Sequence, residues 1–350
     1  MSTFFVYICQ LALSLITTRR RDTLPDEGGD VLKKSLITKL IGDVEITRDL
    51  LILLLIGGIY SLGVALSNTF VNVFLWRRSG EFLDLALYNF ASAALQPIAY
   101  FIAGKWAKKI DRIIVLRLGV IFLACFYFTV LLLSEKANEF LLLLGAILGI
   151  GFGFYWLAFN ILTFEITEPE TRDFFNGFLG LLTSLGGMIG PIVSGIIITT
   201  FETFTGYTVI FSISLSLFIL AVILSFLLKR RQAKGEFQFR RIVQERKYNP
   251  NWRAVLDAHI FQGIREGTFV FVIIVWVYIA TNSELALGTY GLVTSAVQFV
   301  CYYAVTRLVK TNVRKKAILF GGILLYVAVY LIVFQFTYTK LIIYGIIISV

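Results

Sequence analysis

One histidine, His259, three cysteines and five prolines stand in 350 residues. A chain so poor in histidine has little means of building an imidazole metal site or a histidine-based catalytic triad. Cys9, Cys125 and Cys301 lie far apart in apolar stretches, without paired or CxxC spacing, and suit packing rather than a disulfide framework. GxSxG and GxxxxGK[ST] are both missing, so neither a nucleophile elbow nor a phosphate-binding loop is on offer. No enzyme, cofactor or metal is expected, and energy for any work must come from an ion gradient or a solute's own gradient. Charge is scarce as well, at 15% of residues.

What the chain has is apolar surface: 58% hydrophobic residues and a mean hydropathy of +0.82. A soluble core of this length cannot hide that much, so lipid must be the solvent for a large part of it. A transmembrane helix takes about 20 mainly apolar residues, and the sequence predicts nine full spans over 51–76, 83–104, 113–134, 139–163, 176–200, 207–228, 256–281, 285–307 and 317–336. A tenth opens near Leu341 and meets the chain end at Val350, so a C-terminally incomplete bundle is expected. Unbroken runs of this length mean helices, because barrel strands alternate over about ten residues. The fold class expected is an all-α polytopic membrane bundle.

Basic residues give the orientation. Of 32 Lys and Arg, 26 fall in the segments 1–50, 105–112, 164–175, 229–253 and 307–316, and only Arg77, Arg78, Lys136 and Lys340 fall in the loops between them. The N-terminus is therefore expected in the cytosol of a cell whose plasma membrane holds the protein, with Glu81 and Asp84 as local partners for the Arg77-Arg78 pair. This distribution accounts for the net charge of +10 without a nucleic-acid partner. The expected division is a cytosolic or interfacial segment 1–50, a six-helix bundle 51–228, a cytosolic loop 229–255 and an incomplete second bundle 256–350. Within the first segment, the apolar run Phe4 to Ile16 precedes Arg19-Arg20-Arg21, the reverse of a secretory signal.

Two motifs carry a resemblance. Gly186-Gly187-Met188-Ile189-Gly190-Pro191-Ile192-Val193-Ser194-Gly195 in the fifth span resembles the GxxxGPxxGG signature of the major facilitator superfamily, with Ser194 replacing one glycine. Gly186, Gly190 and Gly195 leave backbone open to a neighbouring helix, and Pro191 removes one helical hydrogen bond. Gly104-Lys105-Trp106-Ala107-Lys108-Lys109-Ile110-Asp111-Arg112 keeps the frame of the family's gate loop after the second span, but Lys108 stands where the acid is expected. Six spans, a long basic loop and further spans repeat the family's 6+6 layout. The resemblance implies a monomeric secondary transporter working by alternating access. The first motif implies an antiporter, hence export, with protons and a small solute as partners.

Polarity varies from span to span in a way that suits three-helix repeats around a cavity. The first, fourth and seventh spans carry Asn68 and Asn72, then Tyr155, Trp156 and Asn160, then His259, Gln262, Arg265 and Glu266. These are the candidate substrate and ion pathway. Arg265 and Glu266 near the middle of a span cost on the order of 5–7 kcal/mol on insertion scales, which the apolar residues after them offset by roughly 4–7. Adjacent helical residues diverge by about 100°, so the two are not each other's partners. His259, Gln262 and Glu266 share a face; Glu266 and His259 are the expected proton carriers, and Arg265 an anchor for an anionic group or a counter-ion. A non-transporting membrane receptor, or an inactive truncated product on the same scaffold, is the alternative.

Overall fold

The computed structural model describes residues 47–201, 204–231, 237–267, 272–308, 314–333 and 337–349. Its helices are α1 (Arg48–Ser79), α2 (Phe82–Lys109), α3 (Arg112–Leu133), α4 (Leu141–Ile166), α5 (Pro169–Thr200), α6 (Thr205–Ser225), α7 (Phe239–Tyr248), α8 (Pro250–Gly267), α9 (Ile274–Thr281), α10 (Glu284–Leu308), α11 (Arg314–Val333) and α12 (Tyr338–Ile348). No strand occurs among the described residues.

Local chemistry sets the helix ends. Thr47 caps α1 by accepting from the Leu50 amide at 3.3 Å, Asp49 lies in its first turn and Arg77 with Arg78 in its last, all favourable to the helix dipole. Gly80 then ends α1 at φ 71°, a left-handed conformation that glycine adopts without steric cost. Asp111 caps α3 by accepting from the Ile113 amide at 2.7 Å. Pro169 opens α5, where its missing donor is harmless.

Small residues decide how closely the helices approach. Gly145, Gly149 and Gly153, spaced by four along α4, lie against the α2 backbone: added Cβ atoms would meet the carbonyl oxygens of Tyr88, Ser92 and Gln96. Gly119 brings α3 equally close to α4 at Tyr155. α1 runs through the middle against α5, α6 and α9, with 67% of its most apolar stretch buried, against 22% for α2, which presents its flank outward. Buried hydroxyls tie α1 in place. Ser214 of α6 donates to the Gly63 carbonyl at 3.1 Å and Ser194 of α5 to that of Leu66 at 2.6 Å.

Seven described helices are long and apolar enough to cross a membrane: α1 to α3, the stretch Lys136–Ile166 that contains α4, α5 from Phe175, α6, and α10 from Glu284 to Cys301. Leu319–Leu331 and Tyr338–Ile348 are shorter apolar helices. Of the expected span 256–281 the described residues are 256–267, within α8, and 272–281, which include α9; the stretch between lies outside the described residues. Asp257, His259 and Gln262 interrupt the apolar surface of α8, which packs against α7 and leaves Ile260, Phe261 and Ile264 exposed.

Candidate functional site

α5 is wedged between α1 and α10, and its glycines explain how. On one face a Cβ at Gly190 would lie 2.8 Å from the carbonyl carbon of Ala65, and one at Gly186 3.6 Å from the Leu62 Cα. On the other, a Cβ at Gly195 would come 2.8 Å from the Glu284 carbonyl oxygen, and one at Gly187 2.6 Å from the Ser295 hydroxyl. α10 replies with its own glycines, since Gly288 and Gly291 both abut Pro191. Three helices thus meet backbone to backbone over several turns.

Beside that contact, near the middle of the apolar lengths of α1 and α5, lies a cavity of about 220 Å³ reached by residues of α1, α5, α9 and α10. Asn68 and Thr69 of α1 face Thr294, Ser295 and Gln298 of α10 across it, with Pro191, Leu287 and Ile274 among the apolar walls. Among the described residues that line it there is no Asp, Glu, Lys, Arg or His, and no group of three metal-ligating side chains occurs among the described residues. Hydroxyls and amides without an acid–base pair can hold a solute by hydrogen bonds.

At the ends of α1 and α10, on the side of the short loops, a charged cluster joins the same elements. Arg77 Nη1 lies 2.7 Å from Glu284 Oε1, and the Tyr207 hydroxyl of α6 donates to the same oxygen at 3.0 Å. Arg77 also sits 5.4 Å from the centre of the Phe204 ring, and Arg78 3.5 Å from it. Glu284 is buried. The expected local partners Glu81 and Asp84 are thus replaced by an acid 207 positions away, because α1 ends with its arginines turned toward α6 and α10.

Asn68, expected from sequence, lines the cavity, whereas Asn72 is buried beside it in sequence and accepts from the Asn89 amide of α2 at 2.8 Å. Tyr155 is buried in an aromatic stack, its ring 3.9 Å from that of Tyr60, with Trp156 edge-on at 5.3 Å from Tyr60. Asn160 lies farther along α4 and is exposed. His259 and Gln262 are exposed on α8, the histidine Nδ1 2.8 Å from the Val255 carbonyl oxygen of its own helix. The side chains of Arg265 and Glu266 lie outside the described residues. Of the expected gate loop, Gly104 and Lys108 lie in the last turns of α2, where Gly104 packs against the Phe237 ring and Lys108 is exposed; Asp111 caps α3, and Arg112 pairs with Glu165 at 2.7 Å. Sequence reasoning passed over Thr294, Ser295 and Gln298. Their signal was a polar turn inside the eighth expected span, at i, i+1 and i+4.

A family model described as Major Facilitator Superfamily matches residues 51–350. The chain is 60% identical over 316 residues to the uncharacterized protein YqgE of Bacillus subtilis (strain 168), covering 90% of this chain and 74% of that one. It is 28% identical over 138 residues to the uncharacterized MFS-type transporter YttB of the same organism, 39% of this chain and 31% of that one. Among solved structures, the peptide transporter POT in complex with sulfate matches with a TM-score of 0.57 at 12% identity, over 90% of this chain and 82% of that one. A D-xylose-proton symporter matches with a TM-score of 0.53 at 12% identity, over 86% and 79%. These two likenesses speak for the fold alone. The apolar helices, the glycine-proline frame of α5 and a family match over most of the chain agree: this multi-pass membrane protein belongs to the Major Facilitator Superfamily.

Proposed function

We propose that the protein moves a small solute across the cell membrane by alternating access, as a proton-coupled exporter with its N-terminus in the cytosol. The observation that carries this reading is the cavity itself, which is lined by residues near the middle of α1 and α5 together with residues of α9 and α10. A site shared between two sets of helices is where rocking of one against the other exposes a solute first to one face and then to the opposite one. In this reading 51–228 and 256–350 are the two bundles, with nine full spans and a tenth that begins with α12. The basic segments mark the cytosolic end, and the Arg77–Glu284 pair lies at the outer end. Counterflow of solute in proteoliposomes tests the transport itself, and its absence with a well-folded protein ends the proposal.

Proton coupling rests on Glu266, whose position in the sequence puts an acid between apolar stretches. Glu266→Gln keeps the shape and removes the titration. The variant is expected to exchange solute but to lose its response to an imposed pH gradient, and unaltered pH-driven flux removes Glu266 from the mechanism. For sidedness, cysteines in place of Glu245 on α7 and Glu139 before α4, both exposed, should react with impermeant thiol reagents from the cytosolic and outer faces respectively. Labelling of the Glu245 position from outside in intact cells reverses the orientation.

A further inference from the structure

The cavity has a chemical character that the proposal of transport leaves open. Its polar side chains are two amides, Asn68 and Gln298, and the hydroxyls of Thr69, Thr294 and Ser295, with Tyr290 at the α12 side. Thr294 uses its hydroxyl on the Tyr290 and Gly291 carbonyls of its own helix. Asn68, Thr69, Ser295 and Gln298 form no side-chain hydrogen bond among the described residues. Four half-buried polar groups, drawn from two facing helices and left without protein partners, call for partners from the cavity's contents. Arg77 and Glu284, carried by the same two helices, satisfy each other at 2.7 Å and add no net charge.

An ion placed among these groups sheds part of its hydration shell and finds no opposite charge among the described lining residues, so that desolvation is left uncompensated by any of them. A neutral solute loses only hydrogen bonds to water, and amides and hydroxyls give those back. The volume of about 220 Å³ suits a small solute. We infer that the cavity takes an uncharged, hydrogen-bonding solute of the polyol, sugar or amide class and discriminates against both cations and anions. This rests on the reading of the cavity as the transport site.

The test uses the full chain in membrane vesicles, with Cys9, Cys125 and Cys301 replaced by serine and a single cysteine introduced as Asn68→Cys or Ser295→Cys. Thr69→Cys stands in if either variant fails to elute as a single species. Three methanethiosulfonates of similar size are compared, carrying a hydroxyethyl, a trimethylammonium-ethyl or a sulfonatoethyl group, each rate divided by its rate with a free thiol in solution. The expected result is that the neutral reagent modifies both positions at least about tenfold faster than either ion, the ions being held back by desolvation. Equal or faster reaction of the cationic or anionic reagent overturns the inference and leaves the transport reading intact. If no reagent reaches either cysteine in the folded protein while all react after denaturation, the cavity is cut off from water on both faces, and its role as the transport site falls together with the solute class.

Discussion

Glu284→Ala is expected to open the end of the molecule where α1 and α10 meet. The substitution strips Arg77 of its carboxylate at 2.7 Å and the Tyr207 hydroxyl of its acceptor at 3.0 Å. Breaking a fully buried pair costs about 3–5 kcal/mol, mostly because the remaining charge is left uncompensated. Arg77 keeps 30% of its side chain exposed and retains the Phe204 face, which reduces the loss to about 2 kcal/mol, or roughly thirtyfold in a two-state equilibrium. That is enough to turn a closed majority into a minority. Spin labels at Glu81 and Leu285, both exposed, report the separation: the Glu284→Ala protein should show a longer-distance population than the parent. The exchanged pair Arg77→Glu with Glu284→Arg should bring back much of the short distance. Tyr207→Phe removes one hydrogen bond and leaves the ion pair, so its shift should be smaller. An unchanged distance distribution in a folded Glu284→Ala protein means that backbone contact between α5 and α10 alone holds this end shut.

That pair also shows where sequence reading stops. Apolar run length, a local signal, puts α1, α3, α4 and α6 within about three residues of their ends, whereas α2 runs to Lys109 against an expected 104 and α5 begins at Pro169 against an expected 176. The partner of Arg77 is not local. Glu81 and Asp84 were the nearest acids along the chain, but only the packing of α10 on α5 brings Glu284 within reach. The cavity divides in the same way. Asn68 and Pro191 stood out as polarity or a proline in an apolar helix, and both line it. Thr294, Ser295 and Gln298 gave the same signal but passed unmarked, because a polar residue in a span does not announce which neighbour it faces. Span 256–281 shows a third limit: its apolar residues only just offset Arg265 and Glu266, and the side chains of those two residues lie outside the described ones. Ser194 reads as a departure from the glycine motif, yet its hydroxyl bonds the Leu66 carbonyl at 2.6 Å, a contact that a glycine could not make.

A large effect on folding is expected at Gly190. A side chain there meets the main chain of Ala65, with its carbonyl carbon at 2.8 Å and its oxygen at 3.0 Å from an added Cβ, and main chain in the middle of a helix has no rotamer by which to move aside. Gly190→Leu must therefore push α5 from α1. The shift stretches the Ser194–Leu66 hydrogen bond and disturbs the far face, where Pro191 touches Gly288 and Gly291. Overpacking costs about 1–3 kcal/mol where neighbours can adjust, and the lost buried hydrogen bond adds about 1 more. Gly180→Leu is the control on the same helix, since nothing lies within 4 Å of an added Cβ there and leucine improves helix propensity by up to about 1 kcal/mol. Purified in detergent, the Gly180→Leu protein should match the parent in yield and thermal midpoint. The Gly190→Leu protein should be lost from the membrane fraction or melt several degrees lower. Equal behaviour of the two variants would mean that α1 and α5 tolerate separation, and the glycine-proline frame would then have no packing role at this position.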